Sequence, residues 1–268
     1  MAAQNNSDTY PTMSISDTQT ALDSIYRTLI SGCHILHYHR ILDAYGHLSV
    51  RHPTRSDVFL MPMNMAPATV SSPADIVQYH IEDASPVITS SPPGYVERFI
   101  HSEIYKKYPE VQSVVHSHCP AVLPYTITGN SVPTFDIANF YREGDIQDLL
   151  VRNGRLGGNL SGYFSADSTQ CIQPVVLMRG HGFTAVGKGI EESIFRAIYT
   201  AQNASTQTTA MALSSSAGVG KNGVASELHY LHQSEISPTT QMTEWSFMRP
   251  WRLWVREVDA EGLYVNLA

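Results

Sequence analysis

Apolar residues recur at helical spacing from Ala21 through Leu42, which predicts that the first helix of the fold begins near Thr20. The run Gly32-Cys33-His34 is expected to interrupt this helix, so that a second helical stretch follows over residues 35–42. The repeating apolar positions are Leu22, Ile25, Leu29 and Ile30.

The residues before this helix lack apolar periodicity and are rich in Ser, Thr, Asn, Asp and Gln. We expect residues 1–20 to form a mobile tail. A chain of 268 residues with 43% hydrophobic content can bury a large core. One domain over residues 21–268 is therefore the simplest partition, and two independent domains are less favoured.

Further along the chain, changes of period and turn residues mark the remaining elements. The predicted regular elements are a helix from Glu97 to Tyr108 that stops at Pro109, strands at 111–115 and 175–178, a long helix from Ile190 to about Leu213 and a short helix over 227–232. Irregular connections are expected at 135–141 and 153–159, and a flexible loop at 214–223.

Three histidines stand where strands end. His116 and His118 follow the apolar run 111–115, and residues two apart in a strand project from the same face, so both side chains can contact one ion. His181 lies between two glycines in the turn after the strand 175–178. Three imidazoles with an open fourth position are typical of a catalytic divalent metal site. Because the chain has 12 histidines, the alternative is a chance His-x-His pair with protein partners.

A carboxylate with helical spacing joins these histidines. Glu97 and His101 are four residues apart on one predicted helix and share a face. The short turn Pro109-Glu110 connects this helix to the strand of His116, which favours a position of Glu97 beside the histidines. The alternative is a first-turn glutamate that is stabilised by the helix dipole.

Four motifs carry a resemblance to a known family. They are Gly46-His47-Leu48-Ser49-Val50-Arg51, Glu97-x-x-x-His101-x-x-Ile104-Tyr105, Val114-Val115-His116-Ser117-His118-Cys119-Pro120 and Met178-Arg179-Gly180-His181-Gly182. In these motifs and in their order the chain resembles the class II aldolase and adducin family. The resemblance extends from about Ala21 to about Arg256.

The resemblance implies a three-layer α/β/α fold with a central, largely antiparallel sheet. It implies a homotetramer with active sites between subunits, and a divalent metal, commonly zinc, held by the residues that match His116, His118 and His181. Glu97 matches the catalytic acid/base of the family. Adducin-like relatives lack these ligands and serve cytoskeletal roles, so the presence of all three histidines favours chemistry.

Departures from the sugar-phosphate aldolases of this family bear on the substrate. Those enzymes carry Gly-Asn in place of Gly46-His47 and a Ser-Ser-Glu element in place of the segment 90–97, and these residues help to hold a substrate phosphate. The segment 59–67 is bulky and apolar where they have a small polar loop. The chain is therefore similar to a branch that acts on unphosphorylated carboxylates, including decarboxylases of hydroxylated aromatic acids and an iron-dependent oxygenase.

We assign four further residues to the substrate side of the site. His47 and Arg51 are expected to bind the substrate carboxylate, His47 with a catalytic role as well, and His101 and Tyr141 are expected to contact the substrate. The alternatives are a turn histidine for His47, a solvated strand residue for Arg51 and aromatic core packing for Tyr141.

Charge and cysteine content restrict the partners and the compartment. The net charge of -7 and pI near 5.9, without a Lys/Arg cluster, predict neither nucleic-acid nor membrane binding. Three cysteines without metal-like spacing predict no disulfide framework, and the cytoplasm is the default location. The C-terminal aromatic and cationic segment, with Trp245, Arg249, Trp251, Arg252 and Trp254, is expected to form a subunit interface.

The sequence thus favours a metal-dependent lyase that decarboxylates an unphosphorylated hydroxy-aromatic or β-keto carboxylate. Retro-aldol cleavage of a small hydroxy-carbonyl substrate shares the same carbanion chemistry and remains an alternative, as does an Fe(II)-dependent oxygenase with the same three histidines. A non-enzymatic adducin-like scaffold is the least favoured. Zinc is the expected metal, and iron, manganese, cobalt or nickel are alternatives because imidazole ligands accept them all.

Overall fold

The computed structural model describes residues 15–129, 131–165, 170–171, 173–216 and 228–268. Within these ranges the helices are α1 (Ile15–Tyr38), α2 (Arg98–Lys107), α3 (Leu123–Thr126), α4 (Gly154–Ser161), α5 (Ile190–Ser216), α6 (Gln233–Ser246) and α7 (Met248–Ala260). The strands are β1 (His47–Arg51), β2 (Val58–Pro62), β3 (Ile76–His80), β4 (Ser113–Ser117), β5 (Thr134–Phe135), β6 (Val175–Met178) and β7 (Gly182–Gly187).

The strands form one sheet in the order β3-β2-β1-β4-β7-β6-β5. Every neighbouring pair is antiparallel except β5 and β6. Helices cover both faces of this sheet, and the predicted three-layer α/β/α fold with a largely antiparallel sheet is confirmed.

Alternating side chains divide the core into two parts, one on each face of the sheet. On β4, Val115 belongs to the cluster that packs under α1, α5 and α7, whereas Val114 belongs to the cluster under α2 and α4. His116 lies two residues after Val114 and therefore projects from the α2 face. The candidate site is thus built on the side of the sheet that α2 covers.

Helix α1 differs from its prediction at its start and in the middle. It begins at Ile15, so residues 15–20 of the predicted tail are helical, and the rest of that tail lies outside the described residues. It also runs without interruption through Gly32, where a Cβ atom would lie 2.8 Å from side-chain atoms of Ile194 and Leu48. The glycine permits close packing of α1 on α5 and β1 rather than breaking the helix.

The glycine-rich segment 153–159 is also helical, contrary to the expected irregular connection. The Asn153 side chain accepts a hydrogen bond from the Leu156 backbone N–H at the start of α4. A Cβ on Gly157 would lie 2.4 Å from the Phe99 carbonyl oxygen of α2. Small residues here serve close helix packing, because α2 and α4 lie against each other.

The predicted helix over 227–232 is wrong for residues 228–232, which have no regular structure, and Glu227 lies outside the described residues. Helix α6 begins one residue later, at Gln233, and His232 caps it by accepting a hydrogen bond from the Ser234 backbone N–H. Of the predicted loop 214–223, the first three residues belong to α5 and the remainder is not described.

The three C-terminal tryptophans do not lie on one surface. Trp251 and Trp254 of α7 are buried in the core cluster beneath α1, whereas Trp245 is 70% exposed. Only Trp245 of these three is therefore available for the interface expected from the sequence. None of the helices that the described residues form is long and apolar enough to cross a membrane.

Candidate metal centre

The three sequence-predicted histidines converge in space. His116 is the fourth residue of β4, His118 follows that strand directly, and His181 lies in the turn between β6 and β7. The Nε2 atom of His118 is 3.0 Å from the Nε2 atoms of both His116 and His181. Because β4 and β7 are paired, the end of one strand meets the start of the other.

Two glycines give His181 this position. Gly180 has φ of +65°, a left-handed conformation that glycine adopts without strain. A Cβ on Gly182 would lie 2.0 Å from the Ser117 carbonyl oxygen, so the approach of β7 to β4 requires glycine there. The sequence Gly-His-Gly is thus a structural condition for bringing His181 to the other two histidines.

Glu97 completes the group. It is the N-cap residue of α2, and its Oε1 atom accepts a hydrogen bond of 2.9 Å from the Val151 backbone N–H. Its Oε2 atom lies 3.6 Å from His116 Nε2 and 3.5 Å from His181 Nε2. The backbone bond therefore leaves the second carboxylate oxygen directed at the histidines. We call Glu97, His116, His118 and His181 the His-Glu cluster.

Burial and neighbouring charges favour neutral rings for His116 and His118. Burial lowers the pKa of His116 well below its usual value, and the neighbouring histidines act in the same direction. The pKa of His118 is also lowered, first by burial and then by His181, although Glu97 opposes the shift. A neutral ring offers a lone pair, which is the form that binds a metal ion.

The donor set fits a divalent metal ion. One ligand atom from each residue of the His-Glu cluster lies within 4.8 Å of the others. The Nε2 atom of His118 lies 3.0 Å from the Nε2 atoms of His116 and His181. Because each neutral ring carries one hydrogen, hydrogen bonds among these three atoms cannot satisfy all of them. Thr184 lies 3.3 Å from Nδ1 of His116, where its hydroxyl can accept the ring hydrogen and leave Nε2 for a metal.

His47 and His101 lie beside the cluster rather than in it. His47 is paired with His116 across β1 and β4, and their ring centroids are 5.0 Å apart. His101 lies behind His47, with its Nε2 atom 2.7 Å from His47 Nδ1, and it is fully buried. His101, which was expected to contact the substrate, therefore contacts His47 instead.

Arg51 and Tyr141 are bound to the protein itself. The guanidinium of Arg51 donates to the carbonyl oxygens of Val111, Tyr105 and Tyr108 and stacks on the Tyr105 ring. The Tyr141 hydroxyl accepts a hydrogen bond from the Leu149 backbone N–H. The structure does not bring either side chain into the His-Glu cluster, and Arg51 has a structural role that its position in the motif did not reveal.

The apolar segment 59–67 begins inside the protein. Phe59, Leu60 and Met61 are fully buried in the two core clusters. Sequence reasoning missed Val151 and Thr184, whose contacts with Glu97 and His116 orient the cluster. A backbone N–H and a strand threonine carry no sequence signal of such a role.

Comparisons with known proteins show the family of this chain. The model of the class II aldolase and adducin N-terminal domain matches residues 27–208. Decarboxylase tropJ of Talaromyces stipitatus is 57% identical over 258 residues, which cover 90% of this chain and 97% of that protein. The 3,4-dihydroxyphthalate decarboxylase of Arthrobacter keyseri is 31% identical over 108 residues, which cover 37% of this chain and 41% of that protein.

The L-fuculose 1-phosphate aldolase of Glaciozyma antarctica has the same fold, with a TM-score of 0.67 over 94% of both chains at 16% sequence identity. This likeness concerns the fold alone. The high identity to a decarboxylase, together with the family match, identifies the protein as an enzyme of the lyase type. The chain belongs to the class II aldolase and adducin family, as its motifs predicted.

Proposed function

We propose that the protein is a divalent-metal-dependent decarboxylase of an unphosphorylated hydroxy-aromatic or β-keto carboxylate. The observation that carries the proposal is the convergence of three imidazole nitrogens and one carboxylate oxygen in the His-Glu cluster. The similarity to two proteins named as decarboxylases, one of them named for a dihydroxylated aromatic acid, supports the reaction and the substrate class.

His116, His118 and His181 would hold the metal, with Glu97 next to it, and zinc is the metal we expect. A bound divalent ion would withdraw electrons from chelated substrate oxygens and stabilise the negative charge left when a C–C bond breaks.

Glu97 would move the proton. Its Oε1 atom is held by Val151, whereas Oε2 faces the space between His116 and His181. The carbanion that remains when the substrate loses carbon dioxide takes up a proton, which the carboxylic acid form of Glu97 would donate from Oε2.

A substrate without a phosphate is proposed because the residues that hold phosphate in the sugar-phosphate aldolases are replaced here, with His47 in place of their asparagine. His47 lies beside the cluster, where it would contact a substrate oxygen.

The proposal is tested by metal analysis and by release of carbon dioxide from a panel of hydroxy-aromatic and β-keto acids. We expect near-stoichiometric metal in the parent protein, loss of that metal in His116→Ala and His181→Ala, and a fall in activity on the order of 10³-fold or more. His80→Ala, which changes a partly exposed histidine of β3, is the matched control and should keep metal and activity.

A parent protein that stays free of metal after reconstitution would contradict the proposal. Oxygen consumption with a strict Fe(II) requirement would identify an oxygenase instead, and an aldehyde product without carbon dioxide would identify a retro-aldolase.

We also propose a homotetramer with the active site near a subunit interface, located in the cytoplasm. The exposed Trp245 of α6 supports an interface, and the free Cys33, Cys119 and Cys171 support a reducing compartment. Light scattering of the purified protein should give four times the chain mass of 29.6 kDa. A monomer at micromolar concentration would contradict the assembly.

A further inference from the structure

A buried chain of hydrogen bonds leads from α2 to His47. The Tyr105 hydroxyl is 2.7 Å from Ser49 Oγ, which is 2.6 Å from His101 Nδ1. The other ring nitrogen of His101, Nε2, is 2.7 Å from His47 Nδ1. All four side chains belong to residues that are at most 2% exposed. Water therefore does not compete with these bonds, and their direction depends on the hydrogens that the four groups carry.

The first bond of this chain runs from Tyr105 to Ser49. Burial raises the pKa of Tyr105, so the phenol keeps its hydrogen. Among the described residues, Ser49 Oγ is the acceptor within reach of that hydrogen, because the Val114 backbone group beside the phenol acts as a donor. If Ser49 donated to Tyr105 instead, the phenol hydrogen would be buried without an acceptor, which is unfavourable.

The remaining bonds follow from this direction. Ser49 accepts from Tyr105 and gives its single hydrogen to Nδ1 of His101. Burial lowers the pKa of His101 to about 3, so its ring is neutral and has one hydrogen, on Nε2. That hydrogen is donated to His47 Nδ1. Because His47 Nδ1 accepts this bond, it carries no hydrogen, and the single hydrogen of the neutral ring is on Nε2.

We propose that Ser49 and His101 are positioning residues that hold His47 as a neutral imidazole with its hydrogen on Nε2. His47 then donates a hydrogen bond to a negatively charged oxygen of the substrate, either carboxylate or phenolate. The ring of His47 lies against that of His116 in the His-Glu cluster. The identity of the acceptor rests on the proposed function, whereas the position of the hydrogen does not.

This arrangement gives His47 a role different from that of the cluster histidines. A ring with a bare Nε2 atom can only accept a hydrogen bond there, whereas a hydrogen on Nε2 prevents coordination through that atom and provides a donor for the charge that the substrate carries. The hydrogen-bond chain therefore determines whether His47 can donate to a substrate anion.

The position of the hydrogen is measured by solid-state NMR of zinc-loaded protein with ¹⁵N-labelled histidine. Signals of His47 are assigned by their loss in His47→Asn. We expect unprotonated Nδ1 and protonated Nε2 in the parent. A hydrogen on Nδ1, or on both nitrogens, would overturn the proposal.

Two variants in the hydrogen-bond chain extend the test. Ser49→Ala removes the donor to His101, and we expect His47 to become a mixture of both tautomers. Tyr105→Phe also removes one hydroxyl, but Ser49 can still donate to His101, so the tautomer of the parent should persist. An unchanged His47 spectrum in Ser49→Ala would show that the serine does not position the histidine. Should Ser49→Ala fail to fold, the spectra of the parent and of Tyr105→Phe still decide the position of the hydrogen.

Kinetics separate this inference from the proposed function. In Ser49→Ala we expect KM for the carboxylate to rise about tenfold without loss of metal, because a charged acceptor loses its donor. Ser161→Ala is the matched control, since it removes a buried hydroxyl that donates to the Gly158 carbonyl within α4 and not to a member of the chain to His47. An inactive parent with the expected His47 spectrum would refute the decarboxylase assignment while the positioning role stands.

Discussion

Glu97 has one carboxylate oxygen bonded to the backbone of Val151 and the other directed at two histidines. One oxygen thus fixes the orientation of the side chain, and the other presents a negative charge to the histidines. A neutral group at the start of α2 would not supply this charge. The spacing of Glu97 from His101 identified the correct helix, but the partner that orients the carboxylate comes from a segment 54 residues away.

Replacing Glu97 by Gln tests the proton-transfer role. The amide oxygen can still accept the hydrogen bond from Val151, whereas the group can no longer exchange a proton. We expect the decarboxylation rate to fall by about 10²- to 10⁴-fold with most of the metal retained, measured by steady-state kinetics and elemental analysis. Glu103→Gln on the same helix is the control, because that side chain pairs with Lys106 and should leave the rate unchanged. Full activity of Glu97→Gln would exclude the role.

Helices and strands supply the geometry that single residues cannot. The sheet register pairs His47 with His116, and the β6–β7 turn brings His181 to His118. Arg51 belongs to this level, since it links β1 to the end of α2 through three backbone carbonyls. These bonds engage Nε and Nη2 of Arg51 with backbone carbonyls rather than with the His-Glu cluster.

The structural role of Arg51 predicts a loss of stability without a loss of affinity. For Arg51→Gln we expect the free energy of unfolding to fall by about 1–3 kcal/mol, because buried carbonyls lose a charged donor, and KM to stay within twofold. Urea denaturation and kinetics on the folded protein measure the two effects. Arg55→Gln, which breaks an exposed pair with Asp57, is the control and should leave the free energy of unfolding nearly unchanged. A large increase in KM for Arg51→Gln would restore a substrate role.

Across the whole molecule, buried histidines make the fold sensitive to acid. His34 Nε2 donates a hydrogen bond to the Val70 carbonyl oxygen in the core, and burial lowers the pKa of His34. His101 has its pKa lowered from 6.5 to about 3 by burial. Below pH 6.5 the unfolded chain binds protons at these positions that the folded protein does not bind, so stability falls as pH falls.

We therefore expect the metal-free protein to lose stability progressively from pH 6.5 toward pH 3, the window set by His101. Each such histidine contributes up to about 1.4 kcal/mol per pH unit within its window. Urea denaturation at pH 7, 6 and 5 measures the slope. In His34→Gln, which retains a side-chain amide for the contact with Val70, the slope should be smaller. A pH-independent free energy of unfolding would contradict this assignment.

The sequence by itself determined the family, the lyase class and the layered fold, since periodicity and motif order are local properties of the chain. It also identified the members of the His-Glu cluster, because metal-ligating residue types at strand and helix spacing are visible without coordinates. The predictions of a helix interruption at Gly32 and of an irregular connection in place of α4 were wrong, because close packing rather than a turn requires a small residue there.

Only the tertiary structure decided what each polar side chain near the cluster contacts. Arg51 and His101 carry groups that can bind a substrate, and nothing in their sequence positions shows that backbone carbonyls and His47 occupy those groups. The hydrogen-bond chain from Tyr105 to His47 joins residues of α2 and β1 that are more than 50 positions apart. A hydrogen bond depends on distances within a few tenths of an ångström, and such distances are set by how the layers pack, not by local sequence.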